Sequence, residues 1–305
     1  DIRLLQASSL LAAHEVEAGI EILNTSLLSQ GEPPIGGGKL AGMWSLLSFF
    51  RGPKCPAPKE KKANTVYSDP KRDFLLAAVV SYFDLFSGIR FMRRSHRAYC
   101  LAGMEEGAAG VDFIQAYIVC FASDKRGPLP LAQAYLNAGK RHLEKATEQI
   151  LPQVSLFPEL IAGVLAQREA RWEEAARRFS KSIDIMDEAG LTGCYEQMLA
   201  YVHRVQIDIF NSCFDDAEKS MGAMKSAARE SNDSAMHCNL VFNEVELDTM
   251  QGRFELARDK GISLFDAWRV ERPTFQYFLA DVARSYPQLY LTDCVQLRVD
   301  MQKCL

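Results

Sequence analysis

Apolar positions along this chain fall at helical spacing almost throughout, and one short phrase punctuates them. An aromatic residue, one or two acids and then Ala recur as Arg171-Trp172-Glu173-Glu174-Ala175, Cys213-Phe214-Asp215-Asp216-Ala217 and Arg253-Phe254-Glu255-Leu256-Ala257. The three alanines are 42 and 40 residues apart, and each phrase stands between two apolar helix-period stretches. A period near 40 residues is how stacked helical hairpins look in sequence, since each unit buries its apolar face against its neighbours. The acids belong in the first turn of a helix, where the macrodipole favours negative charge. The small Ala belongs at a close helix crossing. Ala175, Ala217, Phe179, Trp172 and Phe214 are therefore expected to be buried.

Weaker copies extend the pattern. His14-Glu15-Val16-Glu17-Ala18 carries Val in the aromatic's place, and Leu131-Ala132 is a further degenerate copy. Residues 1–30 read as a helical hairpin, and the Pro/Gly-rich 31–38 breaks it. Residues 39–50 form a short apolar helix. Residues 51–70, with four prolines and four lysines, read as a loop. Two helices over 72–103 are expected to join near Ser87-Gly88, followed by an apolar helix over 108–123 and another opening at Gly127-Pro128. Three hairpins fill 156–270, and a capping segment over 273–304 is expected to break at Pro287. Strand-like alternation is nearly absent. The expectation is an all-α chain of about fourteen or fifteen helices, a right-handed α-solenoid of tetratricopeptide-like hairpins forming one domain over 1–305. The chain opens at Asp1, without Met and already in helical pattern, which reads as an N-terminal truncation.

The stretch 158–190 resembles a tetratricopeptide repeat, with Gly163, Ala175 and Phe179 at that motif's small, Ala and aromatic positions. A narrower resemblance lies in the first half. Residues 10–30 followed by Leu40–Gly52, with Trp44-Ser45-Leu46-Leu47, are similar to an early hairpin of the tetratricopeptide repeat protein 39 family, which includes the fungal inclusion-body-clearance proteins. Ser87 through Tyr99, holding Arg90, Arg93, Arg94, His96 and Arg97, resembles that family's basic, Tyr-ending helix. Glu106-Gly107-Ala108-Ala109-Gly110-Val111 resembles the start of the helix after it. The likeness departs between 120 and 129, where the chain is shorter. It implies an adaptor or scaffold linked to protein clearance and lipid metabolism, with no catalytic residue.

Composition changes this picture little. A formal charge of −4 and 48% apolar residues suit a globular protein and argue against a general nucleic-acid binder, which wants a strongly basic face. Eight cysteines lie singly, without a CxxC, which points to a reducing compartment, the cytoplasm first and the nucleus second. No apolar run reaches the roughly 18–20 residues of a membrane span.

Candidate chemistry is sparse. Gly36-Gly37-Gly38-Lys39 lacks the preceding strand, the early Gly and the Ser/Thr of a phosphate loop, so it reads as a turn. His96 and Cys100, one helical turn apart, have the spacing of half a zinc site, and His237-Cys238 could supply another ligand, but no second properly spaced pair exists, so no metal is expected. No catalytic constellation, and no cofactor, is expected. Two features carry more content. Arg90, Arg93, Arg94 and Arg97 form one stripe suited to carboxylates or phosphates, the expected partner-binding site. The bland alternative is a solvated face, or pairing with acids on a neighbouring helix such as Glu105 and Glu106. The helix 39–50 with Trp44, Phe49 and Phe50, flanked by Lys54, could contact a membrane surface, although packing into a groove is favoured. The functional expectation is a non-enzymatic scaffold or adaptor for a protein partner, with no nucleic acid. The competing class is a helical-repeat sensor module of a larger ATPase-type regulator.

Overall fold

The structure is a computed structural model that describes residues 6–7, 9–10, 15–29, 31, 34, 52–53, 69–81, 85–122, 129–147, 149–231, 234–268 and 275–291. Every regular element among them is an α-helix. They are α1 (Val16–Leu28), α2 (Pro70–Ser81), α3 (Leu85–Ala102), α4 (Glu105–Ala122), α5 (Leu129–Lys145), α6 (Pro152–Ser155), α7 (Phe157–Arg168), α8 (Trp172–Glu188), α9 (Tyr195–Phe210), α10 (Phe214–Ser231), α11 (Ser234–Met250), α12 (Phe254–Ala267) and α13 (Phe275–Gln288). The all-α expectation holds. Contacts group the chain into two compact units, Asp1–Ala189 and Gly190–Leu305.

In the first unit α2 packs on α3, α4 on α5 and α7 on α8, while α3 touches α4, and α4 and α5 both touch α7. Its N-terminal core joins Leu23, Leu27, Leu76, Phe91, Met92, Tyr99 and Val111. In the second unit α9 packs on α10, α11 on α12 and α12 on α13, and α11 reaches back to both α9 and α10. Met198, Val205, Ile209, Ala217, Met221 and Met224 fill one layer, and Val245, Ala257, Leu264, Trp268, Ala280 and Ala283 the next. Helix α9 opens with a reciprocal cap, in which Gln197 N–H donates to Cys194 Sγ and Gly193 N–H donates to Gln197 Oε1.

The repeated phrase is a repeated joint. Trp172, Phe214 and Phe254 each begin a helix, and Ala175, Ala217 and Ala257 are all fully buried. Just before each phrase stands a residue with positive φ, namely Ala170 (58°), Ser212 (59°) and Gly252 (77°). The next N–H returns across the turn each time, from Arg171 to Ala166 O at 2.9 Å, Cys213 to Asp208 O at 2.8 Å and Arg253 to Asp248 O at 2.8 Å. This is the Schellman arrangement, which satisfies carbonyls left over at a helix end. The same joint links α3 to α4, where Gly103 has φ 72°, Met104 N–H reaches Tyr99 O and Ala108 is fully buried.

Several sequence expectations shift. Phe179 is fully buried and Phe214 partly so, but Trp172 is 37% exposed. As the first residue of α8, its side chain leans back beyond the helix start, since helical side chains tilt toward the N-terminus. Ser87 and Gly88 lie inside α3, with Gly88 buried, rather than at a joint between two helices. Helix α13 runs through Pro287 rather than breaking there. Pro287 sits in the last turn and withholds only its N–H from Ala283 O, a carbonyl that meets Gly261 of α12. Residues 39–50, with Trp44, Phe49 and Phe50, as well as Lys54 and nearly all of the 51–70 loop, lie outside the described residues. No described helix is long and apolar enough to cross a membrane.

One buried acid gives the second unit a pH dependence. Glu246 of α11 is half-buried as a residue, its Oε2 is inaccessible and accepts no hydrogen bond, and burial pushes its carboxyl up to about 7. The unfolded carboxyl titrates near 4.3. Below that value both states are protonated and stability is full; as pH rises toward 7 the folded state retains its proton against the solvent, and stability is lost. Glu246→Gln is therefore expected to leave urea stability unchanged at pH 4 and raise it by about 1–3 kcal/mol at pH 8, after allowance for partial exposure. Equal effects at both pH values would refute the assignment.

Candidate metal centre

Three helices of the first unit place their polar side chains together at one buried point. His96 and Cys100 lie one turn apart on α3, Glu105 and Asp112 are on α4, and His142 is in the last turn of α5. The close approach of α4 and α5 has a local cause. Gly139 faces the Phe113 ring, and a Cβ there would come within 2.4 Å of Phe113 Cε1. Without a side chain at Gly139 the ring beds against the backbone of α5. Asp112 is the neighbour of Phe113, and His142 is one turn on from Gly139, so the same contact brings imidazole to carboxylate.

The resulting geometry is compact. His96 Nε2 is 3.2 Å from Asp112 Oδ1, and His142 Nε2 is 3.7 Å from Asp112 Oδ2. His142 Nδ1 is 2.5 Å from Glu105 Oε2. Cys100 Sγ is 3.8 Å from His96 Nε2, and the two imidazole rings stand edge to face at 5.8 Å. His96, His142 and Asp112 are 7%, 8% and 0% exposed. Neither oxygen of Asp112 accepts a hydrogen bond, despite the nearness of His96. A cavity of about 90 Å³ opens beside them, lined also by Pro53, Ala138, Arg141 and Lys145. An unsatisfied carboxylate in such surroundings is costly, so the site calls for a cation or a proton.

The Arg stripe is divided between tasks. Arg94 forms a bidentate pair with the fully buried Asp73 at 2.6 and 2.7 Å, fastening α3 to α2. Arg93 Nη1 donates to Tyr135 Oη at 3.4 Å, and burial pushes the Tyr135 hydroxyl up to about 12. The guanidinium of Arg90 lies over the Phe91 ring at 4.7 Å, leaving Arg97 as the exposed member of the stripe. Glu105 and Glu106 are occupied elsewhere, on His142 and on the Leu151 N–H. Internal pairing thus involves different acids from those the sequence suggested.

Sequence reasoning found His96 and Cys100 and missed their partners. His237 and Cys238 belong to the second unit; Cys238 is buried, and desolvation pushes its thiol up to about 12, which makes it inert. A signal for Asp112 was present: it is the only charged residue in the otherwise uncharged run Gly107–Ala122. His142 carried no comparable signal, since it stands in the polar sequence Lys140-Arg141-His142. The Gly36–Lys39 turn lies outside the described residues. Compared with known proteins, the chain matches no family model and no curated protein.

Proposed function

We propose that this chain is a non-enzymatic scaffold or adaptor, a solenoid of tetratricopeptide-like hairpins that presents a preformed surface to a protein partner. Nearest-neighbour packing of successive hairpins inside each unit supports the solenoid reading. The observation that carries the binding reading is a periodic one. Phe210, Met250 and Tyr290 stand at the ends of α9 and α11 and just after α13, 40 residues apart, and are 53%, 38% and 49% exposed. One exposed apolar residue is ordinary; the same position exposed in three successive repeats is a surface for recognition. Arg97 adds an exposed cation in the first unit, and binding to a prearranged surface orders little chain. The resemblance to the tetratricopeptide repeat protein 39 family supplies a setting in protein clearance and lipid metabolism.

The test compares affinity capture from the protein's own cells by the native chain, by Phe210→Ser/Met250→Ser and by Arg97→Gln. The first variant is expected to lose most captured partner, about tenfold or more, with a denaturation midpoint equivalent to within about 0.5 kcal/mol of native. The second is expected to weaken capture chiefly at low salt, since exposed charges are screened beyond roughly 8 Å at physiological ionic strength. Unchanged capture by a folded Phe210→Ser/Met250→Ser chain would overturn the reading.

A further inference from the structure

We propose that His96, Cys100, His142 and Asp112 form a metal site of zinc type that ties α3, α4 and α5 together. The donors have the right chemistry. A thiolate, two imidazoles and a carboxylate are the borderline N/S/O set that Zn²⁺ takes. Donor atoms of His96, Cys100 and His142 all lie within 4.8 Å of one another. Ligands at about 2.0–2.3 Å from a tetrahedral ion stand about 3.3–3.8 Å apart. The observed separations, 3.2 Å and 3.7 Å from the imidazoles to Asp112 and 3.8 Å from Cys100 to His96, lie within a few tenths of an ångström of that spacing.

Orientation points the same way. The Glu105 carboxylate, 2.5 Å from His142 Nδ1, holds that ring nitrogen. The other ring nitrogen, Nε2, is thereby turned toward Asp112, whose fully buried oxygens accept no hydrogen bond. A cation placed between Nε2 and Asp112 Oδ2, which are 3.7 Å apart, bonds to both. Glu105 becomes the outer carboxylate of a carboxylate–histidine–metal relay, which orients the ligand and raises its basicity. Four protein donors close the shell, so the ion is structural, and its binding releases the Cys100 thiol proton to solvent.

The experiment uses the full chain without a histidine tag, stripped with a chelator and titrated with Co²⁺ under reducing conditions. One equivalent is expected to bind with intense visible d–d bands of tetrahedral cobalt and a near-ultraviolet thiolate charge-transfer band, both erased by one equivalent of Zn²⁺. Cys100→Ser should remove the charge-transfer band and keep weakened d–d bands. Glu105→Gln, a positioning change, should weaken affinity about 10–100-fold with the spectrum retained. His96→Asn/His142→Asn should abolish binding while far-ultraviolet circular dichroism shows the helices in place. Absence of a stoichiometric tetrahedral spectrum in the native chain, or its persistence in the double histidine variant, overturns the site. The native titration needs no variant to fold, and its outcome is independent of partner capture.

Discussion

Phe179→Ala is expected to destabilise the first unit by about 3–5 kcal/mol in urea denaturation, the range for deleting a fully buried ring. Phe179 is 0% exposed, and its ring lies against the bare backbone of Gly163 across the α7–α8 pair. A Cβ at Gly163 would come within 2.6 Å of Phe179 Cε1, so the two positions are complementary in shape. Gly163→Ala should therefore be destabilising in the native chain. It should be close to neutral when Phe179 is already Ala, because the clash has gone and a better helix former has been added. That reversal, read from a double-mutant cycle, is specific to contact between the two sites. Additive effects would show that the ring packs elsewhere.

Gly261→Ala is expected to cost the second unit about 3 kcal/mol, although Ala is ordinarily the better residue within a helix. The added Cβ would lie 2.5 Å from the carbonyl oxygen of Ala283 and 2.8 Å from its carbon. A side chain can rotate away from such a contact; backbone cannot, so α12 and α13 must separate. The control is Gly222→Ala on α10, where a Cβ would meet nothing within 4 Å. That change should stabilise by about 0.5–1 kcal/mol, through the lower entropy of the unfolded chain. Effects of opposite sign at these two glycines are the expected result; two stabilising results would mean that α12 and α13 are not in close contact.

The contrast between these glycines explains what could be read from sequence. The Trp172, Phe214 and Phe254 phrases mark their helix starts because the backbone turn before them and the acids of the first turn are local. The buried alanines follow from the same register. Gly163 and Phe179 were visible as well, since their separation belongs to one hairpin. Gly261 against Ala283 was not: the contact depends on where α13 runs, and Pro287 suggested a break where the helix only forgoes one bond near its end. The candidate metal centre divides likewise. His96 and Cys100 announce themselves by spacing on one helix. Asp112 and His142 come from two further helices, and the packing of Phe113 on Gly139 that brings those two together is a contact between helices that no local spacing announces. Arg94 shows the same limit, because a stripe on a helix says nothing of whether Asp73 lies across from it.

The recurring joint has a consequence for how such a chain can change length. Every backbone hydrogen bond recorded across the turn at Ala170, Ser212 or Gly252 is made within the turn and the helix ends beside it. The backbone of the joint asks nothing of residues far away, and it tolerates Ala, Ser or Gly at its left-handed position at a cost of roughly 1–2 kcal/mol for the first two. A unit bounded by two such joints can be copied or excised whole, and the chain on either side meets the same backbone geometry as before. What must be matched anew is only the pair of side-chain surfaces at the splice. Growth and loss by blocks of about forty residues are thereby the easy steps for a chain jointed in this way, while insertion of a few residues into a turn is the hard one.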